Sequence, residues 1–180
     1  MTPDQPIVVG VFPGFSWIRC EGKGSFVNST DVKSFGDERI AGGETRLVID
    51  LGSCTGMDST FMGTMAGLAA RISAKSGGVL QVADVSERNR KSLEDLGLDF
   101  LMEIDPPAAD WRGRVDEVRC ALKPQGKQGL LPSLDRARHV LDAHKTLSGV
   151  NEANAREFDG VVKTLEEQVA ENRTQGGGGR

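Results

Sequence analysis

The stretch that decides the reading is RLVIDLGSCTGMDSTFMG, residues 46–63 of a 180-residue chain. Its opening carries Leu47, Val48 and Ile49 as an unbroken apolar run. A strand in a parallel sheet covered on both faces needs such a run, which predicts a strand over Arg46–Leu51. Gly52–Gly56 are small residues and read as a loop. Further on, Phe61, Met62, Met65, Leu68, Ala69 and Ile72 recur every three or four positions. That spacing is one face of an amphipathic helix, and Gly77-Gly78 ends it.

Working outward, Val79–Val85 is the next strand. Ser86 can cap a short helix with Leu93 and Leu96 inward. Gly97 is a natural left-handed stop, with Leu98 able to pack back on Leu93. Phe100–Ile104 reads as a last short strand. Strand–helix–strand–helix–strand over 46–104 makes a parallel sheet with right-handed crossovers. On the other side, Ile7–Phe12 and Phe15–Glu21 flank the turn dipeptide Pro13-Gly14 and form a hairpin. Gly22-Lys23-Gly24 breaks it. A helix follows, with cap oxygens on Asn28, Ser29 and Thr30 and with Val32, Phe35 and Ile40 on one side. The expected fold class is α/β, a small mixed sheet backed by helices.

Asp105-Pro106-Pro107 marks a boundary, so the sheet domain is expected over 1–105. An irregular connection follows over 106–132, with one short helix carrying Trp111, Val115, Val118 and Leu122. C-terminal helices are expected over 133–173. The first has Leu134, Ala137, Val140 and Leu141 inward, and the second Phe158, Val161, Val162, Leu165 and Val169. Their stripes need cover from the sheet domain, from each other or from a second chain, which leaves a homodimer through these helices open. Residues 174–180, with four consecutive glycines, read as a flexible tail.

Composition narrows the function classes. Hydrophobic residues are 38% and charged residues 27% of the chain, which suits a packed core. The net charge of −4 argues against direct nucleic-acid binding, which usually needs a basic excess. Cys20, Cys54 and Cys120 are far apart, with no CxxC pair, so neither a disulfide framework nor a structural zinc site is expected. His139 and His144 are five apart, the wrong interval for one helix face, so no metal pair is expected and both read as helix-surface residues. The apolar run Ile7–Phe12 is too short for a signal peptide, and no run of roughly 18 apolar residues offers a membrane span. The expectation is a soluble cytoplasmic protein without a cofactor.

The candidate site is the junction of residues 52–63. It joins the C-terminal end of a buried strand to the start of a helix, the edge where open parallel sheets tend to carry sites. Free N–H groups and the helix dipole favour an anion there. A phosphate on Ser59 would be received by that environment, beside the negative charge of Asp58. From local pattern alone, Asp58 or Ser59 as a plain helix cap is the favoured reading. Residue type and spacing leave both readings open. Cys54 reads as a small loop residue, and no base for Ser59 or Cys54 as a nucleophile is visible in the sequence. No GxSxG, Walker A or GxGxxG pattern lies at a strand–helix junction. The locally basic stretches 86–91 and 112–127 read as solvated faces.

The run from Val48 to Gly63, with its Asp58-Ser59 pair at a helix start, resembles the signature of STAS domains, specifically the anti-sigma-factor antagonists. The strand Val79–Val85, the Leu93-Glu94-Asp95-Leu96-Gly97-Leu98 stop and the front stretch Trp17–Gly22 resemble the same family, so the likeness covers roughly residues 7–104. The resemblance implies a switch rather than an enzyme. Ser59 would be the phosphoacceptor of an anti-sigma factor with serine-kinase activity, and a phosphatase would reset it. Unphosphorylated protein would bind that kinase and so free a sigma factor. Met57, Asp58, Thr60, Met62 and Gly63 would flank the acceptor at the partner surface. Where the family carries an Asp beside the acceptor loop, Ser25 takes that position here. The alternative is a non-switching STAS scaffold or a transporter-associated interaction module.

Overall fold

A computed structural model of the chain describes residues 7–125 and 133–176. The linker reading over 126–132 and the last four residues of the expected tail lie outside the described residues. Strands β1 (Ile7–Phe12) and β2 (Phe15–Cys20) form the expected antiparallel hairpin about Pro13-Gly14. Next come β3 (Gly22–Gly24), α1 (Ser29–Ala41), β4 (Arg46–Asp50), β5 (Cys54–Met57) and α2 (Ser59–Ser73). Then follow β6 (Val79–Ala83), α3 (Glu87–Asp95), a 3-10 turn at Leu98–Phe100 and β7 (Glu103–Ile104). The chain continues through α4 (Val115–Cys120), β8 (Lys123–Pro124), α5 (Ser133–Ser148) and α6 (Glu152–Gly176).

One six-stranded sheet has the order β7-β6-β4-β2-β1-β8. The β2, β4, β6 and β7 neighbours are parallel, and β1 is antiparallel to both β2 and β8. The fold is therefore the expected mixed α/β sheet backed by helices, with C-terminal helices added. Side chains of successive strand residues point to opposite faces. Ile18, Leu47, Ile49, Leu80 and Val82 accordingly join one core with Phe61, Met65 and Leu68 of α2. Phe15, Trp17, Val48 and Ala83 face the other way and pack with Trp111 and Val118.

Several sequence expectations shift in detail. The loop expected over Gly52–Gly56 contains β5, which pairs parallel with β3 in a separate two-stranded ribbon. Small residues carry no apolar alternation, so this pairing rests on backbone bonds such as Asp58 N–H to Gly24 O at 2.9 Å. The strand expected over Phe100–Ile104 shrinks to Glu103–Ile104 because a 3-10 turn takes its start. Asn28 does not cap α1 through its side chain. Its amide instead binds Ser25 N–H and Lys23 O, each at 2.9 Å. Trp111 precedes α4 rather than lying in it, and its ring meets Trp17 edge-on at 5.4 Å. Gly97 does stop α3 in the left-handed region, with φ 72°. Helix α6 continues past residue 173 to Gly176.

Candidate functional site

The site grows from the end of β4. Asp50 is fully buried there and is tied from every side. Its carboxylate accepts from Trp17 Nε1 at 3.1 Å, Arg19 Nη1 at 2.8 Å, Gly52 N at 2.9 Å and Arg119 Nε and Nη2 at 2.9 and 3.0 Å. Burial pushes this carboxyl up, but Arg119, the Gly52 N–H and Arg19 outweigh burial and hold it below the ordinary carboxylate range. Arg119 also reaches Asp84 at 2.9 Å. This corrects the expectation that the basic stretch 112–127 is a solvated face: a buried carboxylate requires a partner, and Arg119 supplies it.

Eight residues on, Asp58 is the N-cap of α2 and spends both oxygens on backbone. Oδ1 accepts from Phe61 N–H and Oδ2 from Phe26 N–H, each at 2.8 Å. One side chain thus closes the helix start and pins the loop after β3. Ser25 lies in that loop, where its hydroxyl accepts from Val27 N–H at 3.2 Å. The sequence-derived residues Ser25, Met57, Asp58 and Ser59 are therefore gathered around one corner, each of them half-buried. Thr60, Met62 and Gly63 follow in the first turn of α2 and are buried.

Helix α5 packs on this end of α2, against Ser59 and Gly63. A Cβ placed on Gly63 would lie 2.4 Å from Ala143 O, so the two helices cross with backbone against backbone there. Ser59 Oγ lies 2.9 Å from His144 Nε2, and His144 Nδ1 lies 2.8 Å from Val140 O. A carbonyl oxygen only accepts, so Nδ1 carries a hydrogen. In the neutral ring Nε2 is then the acceptor, and the Ser59 hydroxyl donates to it. His139 repeats the arrangement on α1, with Nε2 2.7 Å from Ser29 Oγ. Burial, and then Lys33, pushes His139 below the ordinary histidine range.

Both histidines are buried, at 7% and 5% exposure, which corrects their reading as helix-surface residues. The signal was in their spacing. Five residues turn a helix by about 140° beyond one revolution, so the two rings address different neighbouring helices. Cys54 sits at the start of β5 with its thiol 3.3 Å from Gly56 O. A hydrogen bond from Cys20 lowers Cys54, while the same bond raises Cys20. Both thiols are buried. Among the described residues, no cluster of His, Cys, Asp and Glu is placed to hold a metal ion, and no helix is long and apolar enough to cross a membrane.

This corner, on this sheet, can be compared with known proteins. The chain superimposes on an anti-sigma factor antagonist from Mycobacterium paratuberculosis with a TM-score of 0.52. The identity is 19%, over 66% of this chain and 97% of that one. A candidate anti-sigma factor antagonist from Thermotoga maritima also gives a TM-score of 0.52, at 19% identity over 63% of this chain and 94% of that one. At such identity the likeness is one of fold. No curated protein matches the chain. The STAS domain family matches residues 7–110, which include the sheet from β1 to β7 and the whole of the Asp58-Ser59 corner. Helices α4, α5 and α6 lie beyond that match, and with more than half of its length matched the chain belongs to the STAS domain family.

Proposed function

We propose that the chain is an anti-sigma-factor antagonist whose acceptor is Ser59. The observation that carries this reading is the Asp58-Ser59 junction, where a capped helix starts on a half-buried serine. The Asp58 carboxylate is committed to Phe61 and Phe26 N–H groups, so it positions the serine rather than competing for its proton. An anti-sigma factor with serine-kinase activity would bring ATP. The Oγ–phosphorus bond forms as the bond from the γ-phosphorus to ADP breaks, and the hydroxyl proton leaves to the kinase. The added charge of nearly −2 beside Asp58 would weaken docking of that partner, and a phosphatase would restore it. Met57, Thr60, Met62, Gly63 and Ser25 would frame the contact. The chain is then a substrate and not an enzyme, and its place of work is the cytoplasm.

The direct test incubates the full chain with an anti-sigma serine kinase of the same genome and ATP. Phosphate is expected at Ser59 by mass mapping and is expected to vanish in Ser59→Ala. Its absence with a demonstrably active kinase would refute the reading. A second reading, a scaffold without a switch, is favoured by the seating of α5 on Ser59 and Gly63. Capture of the partner by Ser59→Glu decides between them: a loss supports the switch, and undiminished capture supports the scaffold.

A further inference from the structure

We infer that the α5–α6 hairpin is a built-in competitor for the acceptor corner, a lid that must lift before Ser59 can meet another protein. This rests on the Ser59 reading only where a kinase is named. The covering itself is geometric. Among the described residues, three separated hydrogen bonds tie the hairpin to the sheet domain. His144 Nε2 meets Ser59 Oγ at the start of α2. His139 meets Ser29 at the start of α1. Asn154 of α6 donates through Nδ2 to Leu96 O at 2.9 Å, where α3 ends. Between these points Ala143 lies on Gly63, and Leu147 and Phe158 enter the main core. Phe158 also stands edge-on to the His144 ring at 5.5 Å.

The consequence for access is strict. Phosphoryl transfer needs an incoming phosphorus within about 3–3.5 Å of Oγ and in line with it. In the seated state Ser59 Oγ is engaged by His144 Nε2 at 2.9 Å, and Thr60, Met62 and Gly63 beside it are buried. A kinase cannot fit its active site over a serine that α5 already occupies. Its docking therefore competes with the hairpin, and the population of the lifted state sets the rate at which Ser59 is read.

The polar seat suits release. Its hydrogen bonds join hydroxyl, imidazole and amide groups, each of which can exchange its partner for water at a small net cost. The apolar anchors on the main core are Leu147 and Phe158, with Val150 and Val162 packed beside them, so the lifted state is a minor population. The outer side of α6 is largely exposed, so the hairpin holds on through one side only.

The test uses the full chain with Ser59→Cys and N-ethylmaleimide, reading each thiol separately by mass. Cys120 is exposed and serves as the internal reference. The thiol introduced at position 59 is expected to react at least ten-fold more slowly than Cys120. Adding Gly63→Ala, whose new methyl would strike Ala143 O, is expected to raise the rate at position 59 ten-fold or more while Cys120 is unchanged. Amide exchange in β4 and β6 checks that the sheet is intact. Asn154→Ala, which releases the far end of the hairpin, is the second variant and is expected to act in the same direction. An introduced thiol that reacts as fast as Cys120 at the outset, or a rate unmoved by both variants, would overturn the lid. The kinase arm compares the native chain with Asn154→Ala, with Ser59 intact. A rise in the initial phosphorylation rate supports the lid. Alkylation that responds with no phosphate on Ser59 in either protein keeps the lid and sinks the proposed function. Equal phosphorylation with unmoved alkylation does the reverse.

Discussion

Two aspartates eight residues apart, Asp50 and Asp58, solve different problems at the same edge of the sheet. Asp50 is fully buried and satisfied by side chains of β2 and α4, with one backbone N–H from Gly52. Asp58 is half-buried and satisfied by backbone alone, from its own helix and from the loop after β3. The first carboxylate nails the segment after residue 105 onto the sheet through Arg119. The second leaves its neighbour Ser59 unspent, so that a residue 85 positions away can take the hydroxyl. A charge locked by charges fixes architecture, whereas a charge spent on N–H groups builds a corner that can change partners.

The sharpest way to break this contrast is Asp50→Ala. It strips the partner from two guanidinium groups and the Trp17 indole, and should cost about 3–5 kcal/mol in denaturant unfolding. The acid limb tests the same group. Its folded pKa is depressed, so its contribution is complete above the unfolded value of about 3.9 and fades as pH falls through the folded value. Urea midpoints measured from pH 6 downward should drop in the native chain, and Asp50→Asn should flatten that drop. Arg119→Ala, which leaves Arg19 in place, should cost roughly 2 kcal/mol by the same assay. Asp58→Ala removes a helix cap and should cost about 1 kcal/mol, with faster amide exchange at Phe26 and Phe61. Ser59→Ala, at or below about 1 kcal/mol, should show its effect in the exchange of α5 and α6 rather than of the sheet. Should Asp58→Ala match Asp50→Ala in cost, the proposed division between the two corners fails.

His139 adds a pH test of the hairpin seat. Burial depresses its folded pKa, so the unfolded or lifted state binds the extra proton. The seat is then complete above the ordinary histidine value of about 6.5 and weakens as pH falls through the folded value. Exchange of α5 amides followed from pH 7.5 to 5, after correction for intrinsic rates, should accelerate on the acid side. His139→Gln should lose that dependence.

The elements that were legible in the sequence carry their instructions locally. The apolar run of β4, the three-four spacing of α2, the Ser86 cap and the Gly97 stop each act within a few residues. The β3–β5 ribbon left no such trace, because Gly22–Gly24 and Cys54–Met57 pair by backbone and not by alternating side chains. At the candidate site, Asp58 and its cap were readable, since the cap reaches only three residues ahead. His144 and Arg119 were not. Their partners lie 85 and 69 positions away, and only the closed fold brings the helix bearing each of them against the sheet domain.

The pairing of Trp17 with Trp111 has a practical consequence for spectroscopy. These are the two tryptophans of a chain without tyrosine, and both emit from the layer opposite α2. Intrinsic fluorescence will therefore report melting of the sheet and the departure of α4, yet stay dark to any swing of the C-terminal helices. A titration that speeds amide exchange in α5 and α6 while the emission maximum stands still would be the signature of that movement.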